Sequence, residues 1–145
     1  MDDKEYKFQL EKLDQFCRCG EYRGATNQLR ELEKTNDSIA SELAFAVLNE
    51  EKGDIYFQAH AFDILYDTSR SLAIDYICQH ANTTETYIVG TMISNVTIDS
   101  EQEEGREELM KAVEVLKQVL QERDTEELER ISDDIQWFKE SFKIQ

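Results

Sequence analysis

The chain has 145 residues, 32 Asp and Glu against 16 Lys and Arg, a net charge of −16, and 40% apolar residues. A chain of this length removes about 70% of its unfolded surface from water, so one helical domain over residues 1–145 can form a core without disulfides or a metal. The charge disfavours nucleic acid and anionic membranes as partners, the apolar content disfavours disorder, and zero prolines with five glycines disfavour a turn-rich sheet protein.

Helical spacing runs through the chain. Tyr6, Leu10, Leu13, Phe16 and Cys17 form a first stripe, stopped at Gly20, and Tyr22, Ala25, Leu29 and Leu32 form a second, ending before Asn36. Asp37 or Ser38 is placed to N-cap a third helix carrying Ile39, Leu43 and Val47. Glu51-Lys52-Gly53-Asp54 reads as a stop followed by a cap, with Phe57, Ala61, Ile64 and Leu65 facing inward on the fourth helix. Thr68 or Ser69 caps a fifth, which carries Leu72, Ala73, Tyr76, Ile77 and His80.

The sixth element, from Thr83-Thr84-Glu85 to Ile98, is ambiguous. Its β-branched residues favour strand, and Gly90 costs a helix interior about 1 kcal/mol. A lone strand would have nothing to pair with, so a buried helix is expected. Leu109, Ala112, Val113, Leu116, Val119 and Leu120 mark the next helix. Leu128, Ile131, Ile135, Phe138 and Phe142 mark the last, capped by Asp124 or Thr125. The expected fold is all-α, with about eight antiparallel helices as either a HEAT-like α-solenoid or an irregular helical bundle. Most aromatics, Phe8 included, match core positions; Tyr66 and Trp137 fall outside them.

No apolar run approaches a membrane span, the charged start Met1-Asp2-Asp3-Lys4-Glu5 lacks the features of a signal peptide, and three cysteines suit a reducing compartment. A cytoplasmic protein is expected.

Sites for chemistry are scarce. Cys17-x-Cys19 and Cys78-x-His80 offer zinc-type ligands, but residues two apart on a helix point nearly opposite ways, so buried free thiols at Cys17 and Cys78 are the expectation. The sequence contains no nucleophile elbow, phosphate-cradling glycine loop or HExxH motif. Neither a catalytic residue nor a metal or cofactor site is predicted, and the chain is read as no enzyme.

Charge is the informative feature. Residues 1–35 have seven bases and eight acids, and residues 101–145 seven bases and fourteen acids. Residues 36–100 have only Lys52 and Arg70 against ten acids. Helix faces usually balance acid with base at i,i+4. Carboxylates lacking that balance either keep a surface solvated or await a cationic partner. Tyr66, bracketed by Asp63 and Asp67, is a candidate anchor for such a partner.

The stretch Ser41-Glu-Leu-Ala-Phe-Ala-Val-Leu-Asn-Glu, with Asp54-Ile-Tyr-Phe-Gln-Ala-His-Ala-Phe-Asp-Ile-Leu-Tyr and Ser71-Leu-Ala-Ile-Asp-Tyr-Ile, resembles the small acidic HEAT-like immunity proteins of bacterial toxin–immunity systems, contact-dependent growth inhibition among them. The likeness lies in helix rhythm and size over residues 37–100. It implies a protein that binds and neutralises a cognate toxin domain, a basic nuclease being the expected type. The contacts expected from the charge pattern are Glu42, Asp63, Tyr66, Asp67 and Asp75. A helical adaptor docking a partner protein is the alternative.

Overall fold

The computed structural model describes residues 3–145, and all their regular structure is helical, with no strand among them. Backbone contacts divide the chain into two compact units, residues 1–70 and 71–145.

The first unit contains α1 (Asp3–Arg18), α2 (Tyr22–Thr35), α3 (Asp37–Asn49) and α4 (Ile55–Thr68). α3 lies against both α2 and α4, while α1 packs on α2 and α3. Leu13, Leu29, Ile39, Leu43, Phe57 and Phe62 are fully enclosed, each contributing about 1.5–3 kcal/mol by burial.

Helix ends follow from local chemistry. At Gly20, φ is +70°; Glu21 N donates to Phe16 O at 2.8 Å and Gly20 N to Cys17 O at 3.1 Å, satisfying two orphan carbonyls of α1. The same closure ends α3, with Glu51 at φ +51° and Lys52 N donating to Val47 O at 2.9 Å. Asp54 caps α4 by accepting from Phe57 N at 2.8 Å, as the sequence predicts. The cap of α3, however, is Asn36, which accepts from Ile39 N at 3.3 Å, one residue before the predicted Asp37 or Ser38. Thr68 is still inside α4, its hydroxyl donating to Ile64 O at 2.7 Å, so it does not cap the fifth helix.

The second unit contains α5 (Arg70–His80, starting at the boundary), α6 (Thr86–Ile98), α7 (Arg106–Glu122), α8 (Thr125–Leu128) and α9 (Ser132–Ser141), with 3-10 turns at 81–83 and 129–131. α6 is its centre, packed against α7, α9 and the 129–131 turn. It is a helix despite its β-branched residues because burial on nearly every side decides the matter. Thr97 Oγ1 donates to Ile93 O at 2.7 Å and Asn95 Nδ2 to Thr91 O at 2.9 Å, so these buried polar groups are satisfied by the helix itself.

Gly90 explains its own presence. A Cβ there would stand 2.6 Å from Ile131 Cγ2 and 3.2 Å from Ile131 Cβ. The bare glycine lets the 129–131 turn approach α6. That approach also breaks the last predicted helix: Ile131 leaves helical geometry at φ −124° and ψ 26°, and α8 and α9 replace one continuous element.

Two aromatic placements need correction. Phe8 is 62% exposed, whereas Tyr66, predicted to lie off the core, is 7% exposed with its ring 6.2 Å from that of Phe62. Trp137 flanks the core as expected, 44% exposed.

Candidate binding surface

α2 and α4 pack against each other, and this contact gathers Glu33 from α2 with Asp63 and Asp67 from α4. Asp63 and Asp67 are one helical turn apart and share a face. Arg30, on α2, reaches both sides: its Nη1 is 3.4 Å from Glu33 Oε1 and 4.0 Å from Asp67 Oδ2. Two carboxyl groups thus share the reach of one guanidinium, and Asp63 adds its charge to that of Glu33 on Asp67. Burial first, then the hydrogen bond and charge of Glu33 and the charge of Asp63, push the Asp67 carboxyl above its ordinary range, with Arg30 opposing. Its raised proton affinity reflects burial first and the neighbouring carboxyl groups second.

The other sequence-predicted residues group differently. Glu42 acts with Glu50, Asp14 and Lys52 around Tyr6, whose hydroxyl is pushed up by burial first and then by Glu42 and Glu50. There Lys52 Nζ lies 2.8 Å from Asp14 Oδ1 and 3.8 Å from Glu50 Oε1. Burial alone would lower the Lys52 ammonium; the hydrogen bond and charge of Asp14, with Glu50, raise it instead. Asp75 is exposed on α5, where it adds to the burial that raises the Cys78 thiol. Tyr66 has little surface to offer a partner. Of the five predicted contacts, the α2–α4 cluster includes Asp63 and Asp67.

Cations from the ends of the chain also reach the acidic middle. Arg30 reaches Asp67, and Arg130 Nη1 lies 3.5 Å from Glu85 Oε1. Glu33 and Arg30 were missed in the sequence because they form an i,i+3 pair inside a charge-balanced segment. Only the packing of α2 on α4 brings Asp67 to them.

Among the described residues, no group of three or more His, Cys, Asp or Glu is arranged to hold a metal ion. All three cysteines are free; Cys17 is half-buried and Cys78 exposed, where buried thiols were expected. His60 is exposed and His80 half-buried, its ring 4.5 Å from Tyr76. No helix among the described residues is long and apolar enough to cross a membrane. Compared with known proteins, the chain matches no family model, no curated protein and no solved structure.

Proposed function

We propose that this chain is a non-enzymatic binding protein that neutralises a basic protein domain, a nuclease toxin in the manner of the immunity proteins its helix rhythm resembles. The observation that carries the reading is the gathering of Glu33, Asp63 and Asp67 where α2 packs on α4, with Arg30 reaching Glu33 and Asp67. Like charges held together raise the energy of the free protein, and a partner's Lys or Arg placed among them relieves that repulsion. A buried acid pair used for catalysis would need a cleft that encloses substrate; Asp67 has a side chain 55% exposed, which suits a docking face better.

The test uses a basic nuclease domain encoded by a gene neighbouring that of this chain. Mixed with that domain, the chain is expected to form a stable complex and abolish its nucleic-acid cleavage. Asp63→Lys with Asp67→Lys is expected to slow association about tenfold or more and to flatten its salt dependence. Cleavage that persists at saturating chain overturns the reading, and a double variant that associates at the wild-type rate overturns the assigned surface.

A further inference from the structure

The C-terminal break leaves a second surface. The last apolar stripe contains two pairs at heptad spacing, and the 129–131 turn sends them opposite ways. Ile131 and Phe138 are buried, at 5% and 0% exposure, while Leu128 and Ile135 stay half-exposed. The end of α9 then folds back: Lys143 takes φ +55°, and Ile144 N donates to Lys139 O at 2.8 Å. Leu128, Ile135 and Ile144 together line an open groove of about 510 Å³, with Glu129, Lys139 and Glu140 among its polar lining.

We propose that this groove seats an amphipathic helix with a cationic polar face, supplied by a partner protein. Two or three apolar side chains at i, i+3 or i+4, and i+7 of such a helix would match the aliphatic row of Leu128, Ile135 and Ile144. Charge selects among occupants. Glu129 and Glu140 line the groove against Lys139, with Glu126 and Asp133 exposed in the same segment; Glu127 and Asp134 are engaged by Arg123 and Ser94, and Arg130 by Glu85. A second copy of this chain would bring the same acidic rim against itself, and an anionic bilayer would be repelled. A lysine-rich helix meets Glu129 and Glu140, and Lys139 favours the register that offers it an acceptor.

This proposal stands apart from the α2–α4 face, and its test separates the two. Two synthetic helices of about 15 residues, roughly four turns, share one leucine spacing and differ in having Lys or Glu on the polar face. Each is titrated into the full chain labelled at Ile, Leu and Val methyls, with Trp137 fluorescence followed in parallel. The Leu/Lys helix is expected to shift the methyls of Leu128, Ile135 and Ile144 saturably, and the Leu/Glu helix to leave them in place. Glu129→Lys with Glu140→Lys, both at exposed positions, is expected to weaken the Leu/Lys helix about tenfold and admit the Leu/Glu helix. Asp63→Lys with Asp67→Lys is expected to leave groove binding unchanged. Four results overturn the proposal: equal binding of both helices, shifts confined to α2 and α4, groove methyls that move only with the chain's own concentration, or groove methyls that move with anionic vesicles but not with the Leu/Lys helix.

Discussion

α3 and α4 of the first unit bury almost only apolar and aromatic side chains, with Gln58 the polar exception, whereas α6 of the second buries Thr86, Asn95 and Thr97 with its aliphatic residues. The first arrangement leaves the surface to electrostatics, and carboxylates collect where α2 meets α4. The second makes the interior depend on particular partners. Thr86, fully buried, donates to Glu127 and accepts from Arg123 Nη1 at 2.8 Å, while Arg123 Nη2 donates to Ala81 O at 3.0 Å. One arginine thereby ties the 81–83 turn and the start of α6 to the chain after α7. Its side chain is only 12% exposed. Single changes should therefore injure the second unit most and tune the first.

The largest effect is expected at that arginine. Arg123→Met removes the donor to Thr86 Oγ1 and to the carbonyls of Ala81 and Asn82 and should cost about 2–3 kcal/mol, read from urea unfolding. Lys52→Met is the counterpart in the first unit, with a 2.8 Å bond to Asp14 but a half-exposed partner. It should cost about 1 kcal/mol. Equal losses would erase the contrast between the units.

Gly90→Ala comes next. Alanine gains about 1 kcal/mol of helix propensity, but its Cβ would meet Ile131 Cβ at 3.2 Å and Cγ2 at 2.6 Å. The first of these atoms sits next to the backbone and cannot swing aside, so a net loss of roughly 1–2 kcal/mol is expected. Adding Ile131→Leu removes the β-branch and should restore part of it. A stabilised Gly90→Ala would mean that the turn at 129–131 yields freely, and the close approach would lose its meaning.

These residues also mark what the sequence could and could not convey. The stop at Gly20, the cap at Asp54 and the stripes of α1 to α4 were legible because each depends on neighbours within a few positions. The apolar run of α6 left helix and strand open, and only the absence of a pairing strand decided between them. Gly90 was visible as a cost, but its reason lies 41 residues away at Ile131. The heptad spacing of residues 128, 131, 135 and 138 was plain, yet periodicity does not say that a turn divides the two pairs. Charge arithmetic by segment found Asp63 and Asp67 but set Glu33 aside, since contacts between α2 and α4 are invisible to composition. Tyr66 failed in the other direction: flanking aspartates suggested a surface where packing against Phe62 prevailed.

A smaller effect is expected at the helix ends. Glu51 and Lys143 do with ordinary side chains what Gly20 does with none, each in the left-handed region. Left-handed geometry costs an L-residue about 1 kcal/mol, so Glu51→Gly, at an exposed position, should stabilise the chain by about 0.5–1 kcal/mol. Gly20→Ala should destabilise it by a similar amount, its Cβ meeting nothing within 4 Å, so that backbone strain alone is measured.

The smallest effect belongs to Asp67 and bears directly on the proposed partner. Its carboxyl is raised in the folded chain, so between the ordinary aspartate range and the native value the folded state holds a proton that the unfolded state has released. Stability from this group therefore falls as pH rises through that window, and the penalty is complete once Asp67 ionises in the native state. Exposure to solvent keeps it small. Asp67→Asn removes the contribution, so wild type should gain on the variant as pH drops from about 7 to about 4, measured as a difference in urea midpoints. Parallel curves would mean that Glu33 and Asp63 do not act on Asp67. A cation brought in by a partner reverses the sign, because it favours the ionised carboxyl. Complex formation at a pH just above the ordinary aspartate range, where the raised Asp67 carboxyl still holds part of its proton, should then release protons. The calorimetric heat should accordingly change with the ionisation enthalpy of the buffer for wild type and much less for Asp67→Asn. A complex that leaves the buffer dependence of the two chains identical would place the partner's cations somewhere other than between α2 and α4.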